Sequence, residues 1–337
     1  MRAFVTGASG FIGYHVARLL LRDGHEVRAL VRPGTSTQRL ERLGMDKVYG
    51  DLTDVDSFSE AMRTCDVLFH VAAHYSLYRR DRDKMMAVNV EATRRLLEAT
   101  RKTKIERIVY TSSTATVGLM EDGRAADETL FANPREVKSD YKRSKILAEE
   151  LVLDACREGM DIVIVNPSTP VGPGDIKPTP TGRIVLDTMT GKMPAYVETG
   201  LNLVAVEDVA EGHLLAWKRG KTGERYILGN ENLTFGDLVG RIARIAGCAA
   251  PRLRIPLWVA WTAAVMDEFV LSALSGHTPR VPLAGVQLAR RPMYFTAQKA
   301  VRELGLPQTS IDIALKNAVE WFRSEVLQDI PERMMNL

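Results

Sequence analysis

Residues 5–13 read VTGASGFIG. Before them stands RAFVTG (2–7), a short apolar strand pattern. After them stands YHVARLLLRDG (14–24), with apolar residues at helical spacing and a stop at Gly24. Gly7, Gly10 and Gly13 therefore sit in a turn that leads from a strand into a helix N-terminus. That arrangement suits a phosphate: the helix start offers free N–H groups and a positive dipole end, and glycines let the backbone approach the anion. Ser9, Phe11 and Ile12 fill the rest of the candidate loop. The spacing is GxxGxxG, slightly different from the GxGxxG of the dinucleotide fingerprint. Alone it could be a plain glycine-rich turn; the strand and helix around it favour the phosphate site.

Outward from the loop, strand and helix signals alternate. EVRALV (26–31), DVLFHVAA (66–73), RIVYTSS (107–113) and DIVIVNP (161–167) read as strands. Helical patterns cover DSFSEAMRTC (56–65), MMAVNVEATRRLLEATRK (85–102) and the region 140–158. Near-continuous apolar strands separated by helices predict a parallel sheet buried on both faces. The expected fold is α/β: a Rossmann doubly wound sheet over 1–170, with 202–230 returning to it. Beyond it, PSTPVGPGDIKPTPTG (167–182) reads as a long ordered loop. Residues 171–201 and 231–337 are expected to form a smaller, mostly helical C-terminal substrate lobe.

Composition narrows the function classes. The chain has 337 residues, 45% hydrophobic and 26% charged, with a formal net charge of +3. That balance gives no argument for a nucleic-acid partner. Cys65, Cys156 and Cys248 show no CxxC spacing, so neither a disulfide framework nor a zinc site is suggested. The N-terminus enters a strand pattern at once, with no signal-peptide pattern, and the expected location is cytoplasmic. IPLWVAWTAAVMDEFVLSAL (255–274) is apolar, but Asp267 and Glu268 interrupt it short of the ~18–20 residues a membrane span needs. A packed helix is the expected reading, with peripheral membrane contact through Trp258 and Trp261 as the minor alternative.

The second strand bears on the cofactor. An acid about twenty residues beyond the glycines would hold the ribose 2′-OH of NAD. This chain has VRALVRPGTST, with Arg32 at the strand end and no acid from 27 to 37. An arginine suits a 2′-phosphate, so NADP(H) is preferred and NAD(H) remains open, as does an exposed loop arginine. GDLTD (50–54) then offers Asp51, beside Leu52, to the adenine amino group.

Residues 139–145 read SDYKRSK and place Tyr141 four positions before Lys145, on one helix face. The glycine triplet, GDL, VAA at 71–73, NV at 89–90, TSS at 111–113 and Tyr141-x-x-x-Lys145 follow the order found in extended short-chain dehydrogenases/reductases, the NAD-dependent epimerase/dehydratase family. The chain resembles that family over essentially its whole length, including VAVEDVA (204–210) and KAVRELG (299–305). YTSSTATVG, NPSTPVGPGDIKPTPTGRIV and MPAYVETGLNLVAVEDVA are similar to the hopanoid-associated sugar epimerase subgroup. VRALVR and TSS are also similar to dihydroflavonol-reductase-like proteins.

The resemblance implies that Tyr141 transfers a proton, that Lys145 holds the nicotinamide ribose and lowers the tyrosine pKa, and that Ser113, preferred over Ser112, orients the substrate oxygen. It adds Ala72, Ala73, Asn89, Thr111, Ser112, Pro167 and Thr169 to the cofactor site. His74, Ser168, Arg183 and Tyr196 are candidate substrate contacts, with Lys177 and Arg291 as further liners. A free phenol titrates near ~10, so proton transfer at neutral pH needs a neighbouring cation.

Three readings follow: an NADP(H)-dependent reductase of a ketone or aldehyde, an epimerase with retained NAD(P), and a non-catalytic NADP sensor. Val117-Gly118 and Leu201-Asn202-Leu203 stand where nucleotide-sugar epimerases usually carry an aromatic and an arginine. An intact Ser113, Tyr141 and Lys145 argues against the sensor. The expected partners are a small-molecule substrate and a second copy, a homodimer through the helices near 85–102 and 141–158.

Overall fold

The computed structural model describes residues 1–267 and 283–327. Its central layer is a parallel sheet of seven strands: β1 (Arg2–Thr6), β2 (Glu26–Val31), β3 (Asp46–Tyr49), β4 (Val67–His70), β5 (Arg107–Thr111), β6 (Ile162–Pro167) and β10 (Arg225–Leu228). The spatial order is β10-β6-β5-β4-β1-β2-β3. The chain thus moves outward from β1 to one edge and then crosses over to build the other. Helices cover both faces. On one lie α1 (Phe11–Arg22) and α8 (Val206–Arg219), packed on Ala3, Val5, Val109 and Val163. On the other lie α3 (Ser59–Met62), α5 (Ala92–Thr100) and α6 (Asp140–Arg157), over Phe4, Leu68, Ile108 and Ile164. Successive residues of one strand feed opposite cores, as a two-sided parallel sheet requires.

The second lobe has its own core. Strands β7 (Thr169–Val171), β9 (Gly200–Ala205) and β11 (Glu231–Thr234) form a three-stranded sheet in the order β11-β9-β7. Against it pack α7 (Pro180–Met189), α9 (Phe235–Ala246) and the helix Ile311–Glu325. Short strands β8 (Ala195–Tyr196) and β12 (Leu253–Arg254) pair nearby, followed by α10 (Leu257–Met266) and a helix at Leu283–Leu288.

Several expectations change. The stretch 167–182 is not one loop: Thr169–Val171 pairs in parallel with β9, and α7 starts at Pro180 under a Thr179 cap. Within 202–230, β10 and α8 join the main body, but β9 belongs to the small sheet. The helix expected over 56–65 is broken into a 3-10 turn, Val55–Ser57, and the short α3. The 85–102 helix begins earlier, with α4 (Arg82–Met85), and carries a π-helical segment at Met86–Glu91 before α5. The part of 255–274 beyond Asp267 lies outside the described residues. No helix among the described residues is long and apolar enough to cross a membrane.

Candidate active site

The glycine loop is built by close approach. Gly7 holds φ +75°, and a Cβ on it would meet Ala72 N at 2.7 Å. A Cβ on Gly13 would lie 2.1 Å from Gly7 O, so the first turn of α1 sits directly on the loop. Gly10 is different: the only atom near its missing Cβ is Gly7 O, at 3.2 Å. No side chain caps α1, and its first turn carries no acid. The N–H groups at the start of α1 therefore face outward with a positive dipole end, beside exposed Ser9 and Gly10.

Arg32, at the end of β2, is exposed and close enough to act electrostatically on Asp51 and His74. Thr53 donates to Asp51 from both its backbone and its hydroxyl, and these bonds, more than Arg32 and Lys84, hold the Asp51 carboxyl below its usual range. The Leu52 side chain instead enters the core under β4, so only its backbone can face a ligand.

At the ends of β4, β5 and β6 the site is made of side chains. Tyr141 and Lys145 lie on the first turns of α6, which Ser139 caps through its hydroxyl to Lys142 N. Lys145 is 2% exposed; its Nζ donates to Thr111 O (2.9 Å) and Tyr110 Oη (3.2 Å). Burial lowers its pKa to about 8, against the opposing pull of Glu149. The Tyr141 hydroxyl is engaged by Ser113, which lowers its pKa, but burial dominates and raises it. Ser113 thus opposes the effect of burial on Tyr141. Tyr75 packs edge-on against Tyr141, with ring centroids 4.6 Å apart.

Ser113 is held in turn. Its hydroxyl accepts from Ala115 N, and its carbonyl accepts from Asn166 Nδ2 at 3.1 Å. Asn166 also donates to Glu149 Oε2 (2.9 Å), which accepts from Thr116 Oγ1 as well. The other Glu149 oxygen lies 2.9 Å from Arg225 Nε, both groups being almost fully buried. Glu149 stands one turn after Lys145 on the same helix face, so the i, i+4 spacing already present in the sequence could have revealed it. Arg225, Asn166 and Tyr110 carry no such local signal.

Other expected residues take different places. Thr111 Oγ1 pairs with His213 Nε2 (2.8 Å) toward α8, leaving only its carbonyl to the site. Asn89, in the π-helical segment, accepts from His74 N and donates to His74 O and Ser144 Oγ. It thus shapes the loop after β4 from below. Ala72 N donates to Thr6 Oγ1, and Ala73 is exposed beside it. Pro167 ends β6 and Thr169 opens β7. Arg183 lies on the exposed side of α7, 3.8 Å from Asp187. Tyr196 stacks on Phe235 in the second lobe. Lys177 and Arg291 are exposed.

Buried polar atoms without partners cluster here: Ser112 Oγ, His74 Nε2, Ser168 Oγ and Asn166 Oδ1. They follow or end β4, β5 and β6, three neighbours at the edge where open α/β sheets bind ligands. Together with the open Gly10 cradle and the uncapped α1, they fit a dinucleotide laid across the strand ends.

The model of the NAD dependent epimerase/dehydratase family matches residues 3–229. A Synechocystis protein provisionally named dihydroflavonol 4-reductase is 50% identical over 325 residues, covering 95% of this chain and 94% of that protein. Sterol demethylase protein B of Methylococcus capsulatus is 36% identical, covering 96% and 98%. Among solved structures, gox2253 superposes with a TM-score of 0.85 at 45% identity, covering 95% of this chain and 97% of that one. The family match begins in β1 and ends one residue past β10, the first and last strands of the seven-stranded sheet, and so takes in the whole ligand edge. The chain belongs to the NAD-dependent epimerase/dehydratase family and is an NAD(P)-dependent enzyme of the extended short-chain dehydrogenase/reductase type.

Proposed function

We propose that the protein is an NADP(H)-dependent oxidoreductase that interconverts a ketone and a secondary alcohol. The carrying observation is the Tyr141 hydroxyl beside Ser113, on a helix whose next turn brings the buried Lys145 ammonium to the end of β5. When bound, NADPH supplies the hydride that reduces the carbonyl carbon. Ser113 donates to the substrate oxygen and fixes it beside Tyr141. As charge develops on that oxygen, the Tyr141 hydroxyl gives it a proton. Lys145, held by Thr111 O and Tyr110, stabilises the phenolate that remains. Asn166 and Glu149 keep Ser113 in register, and Asn89 keeps the His74–Tyr75 wall of the substrate side.

Arg32, exposed beside Asp51, supports NADP(H) over NAD(H), because a guanidinium suits a 2′-phosphate. Two relatives named as reductases, the dihydroflavonol 4-reductase and a Stigmatella aurantiaca ketoreductase, support reduction. In β9 every residue is buried, and Asn202 donates to Asn232 Oδ1 and Phe295 O within the lobe. That strand thus turns its polar group inward rather than to a sugar diphosphate. The three cysteines are free thiols, in keeping with a cytoplasmic enzyme. Helices α5 and α6, side by side on one sheet face, would be the faces of a homodimer.

The test is nucleotide release followed by turnover. Purified protein should release little nucleotide on denaturation, bind NADPH better than NADH, and consume NADPH with a ketone or aldehyde panel. Tyr141→Phe should lower turnover by at least about 100-fold while NADPH binding persists. Stoichiometric retained nucleotide with no net consumption would replace this reading with an epimerase.

A further inference from the structure

We propose that the exposed face of α10 is a docking surface for an anionic lipid bilayer. From Ile255 to Met266 the chain reads IPLWVAWTAAVM, with no charged residue. Such a stretch is ordinarily buried all round. Here only one side is: Ala260 and Ala264, one turn apart, pack with Leu257 against Val286 and Leu283. The rest of its surface presents Trp258 (69% exposed), Trp261 (48%) and Met266 (53%) to solvent. Leu253, just before the helix, is 60% exposed and extends the patch. Paired tryptophans on an uncharged surface are the side chains that settle at the level of lipid headgroups.

The rim identifies the occupant. Arg252 and Arg254 lead into α10 on either side of exposed Leu253; both are exposed, and neither forms an ion pair among the described residues. A two-fold contact with a second copy would bring this rim against itself, like charge on like. A surface of anionic headgroups is attracted by the same rim. No helix among the described residues is long and apolar enough to span a bilayer, and the contact proposed is a peripheral one.

The patch also lies close to the active-site loop. A Cβ on Gly285, in the helix that covers the buried side of α10, would come within 3.7 Å of Leu77 Cδ1. Leu77 belongs to the loop that carries His74 and Tyr75. Docking through α10 therefore sets the substrate side of the site near the headgroup layer.

Sedimentation with sucrose-loaded vesicles tests this without reference to the reaction. Wild-type protein should pellet with phosphatidylcholine–phosphatidylglycerol vesicles at least about tenfold better than with phosphatidylcholine alone, less so as salt rises. Trp258→Ser/Trp261→Ser should lose at least about tenfold of that binding, and Arg252→Glu/Arg254→Glu should lose the preference for the anionic lipid. Both variants should keep wild-type melting and NADPH binding. Wild-type protein left in the supernatant would overturn the proposal, as would tryptophan-free α10 binding vesicles normally. A wild-type dimer that the tryptophan substitutions dissociate, with no vesicle binding, would overturn it in favour of a protein interface.

Discussion

The two ends of the ligand edge are made by opposite means. At β1 and α1 the site is backbone: glycines without side chains, a helix start without a cap, and a gap left by the missing Cβ of Gly10. At β5 and β6 it is a lattice of buried side chains in which each group fixes the next, from Arg225 through Glu149 and Asn166 to Ser113. On the proposed reading the first end recognises a phosphate, whose charge is spread and whose contacts tolerate small shifts. The second must hold a proton donor and a carbonyl within hydrogen-bond reach, where small displacements cost rate. Substitutions should therefore fail sterically at one end and through lost partners at the other.

The largest effect should come from Gly13→Ala. Its Cβ would stand 2.1 Å from Gly7 O, a backbone atom that cannot swing aside. We expect a loss of about 4 kcal/mol or more in unfolding free energy, with NADPH binding lost in parallel, read by denaturant melts and fluorescence titration. Gly10→Ala is the contrast within the same loop. A Cβ there meets one backbone atom, Gly7 O at 3.2 Å, which must ease by only a few tenths of an ångström, so stability should fall far less than for Gly13→Ala while nucleotide affinity falls. Equal damage from both would erase the distinction between packing and ligand glycines.

Glu149→Ala comes next. It leaves Arg225 buried without this carboxylate and removes one acceptor each from Asn166 and Thr116. Breaking a buried pair in this way costs about 3 kcal/mol. Turnover should fall further than NADPH affinity, because the lattice reaches Ser113 and not the glycine loop. A variant with normal kcat and weakened nucleotide binding would contradict that separation.

How far each end could be read from the chain follows from the same contrast. The glycine loop is local: strand, turn and helix are contiguous, and so was its signal. Tyr141 and Lys145 share one helix face and were legible for the same reason. The lattice was not, because Arg225, Asn166 and Glu149 come together only when β10 and β6 pair and α6 covers them. β7 escaped for a related reason. It is three residues long, contains Pro170, and becomes a strand only by pairing with β9, more than a helix away in sequence. The π-helical segment holding Asn89 has the composition of an ordinary helix; its widened turn is visible only in three dimensions, and such turns are frequent at functional sites. The Leu52 side chain packs in the core and the Thr111 hydroxyl pairs with His213, orientations that proximity in sequence does not reveal.

Arg32→Asp should have a smaller effect and leave folding untouched. Arg32 is exposed and makes no ion pair among the described residues, so its loss disturbs nothing that packs. The ratio of NADPH to NADH efficiency should drop by about 30-fold, roughly 2 kcal/mol. An unchanged ratio would retire Arg32 as the reader of the 2′-phosphate.

The smallest effect expected is a titration confined to the catalytic end. Burial lowers the Lys145 pKa to about 8, so ketone reduction should decline as pH rises through that value, at most about tenfold per unit. The stability linkage runs the other way. An unfolded chain keeps this proton up to ~10.4, so between about 8 and there the unfolded state binds more protons than the folded one. The lysine's contribution to stability therefore rises with pH over the window in which activity falls, and loss of rate there cannot be put down to this group's unfolding the chain. Glu149 opposes the shift, so Glu149→Gln should move the alkaline limb of kcat/KM to lower pH. NADPH affinity measured over the same range should stay flat if the phosphate end is backbone and arginine alone. A nucleotide affinity that titrated together with the rate would mean that the two ends are electrostatically one site.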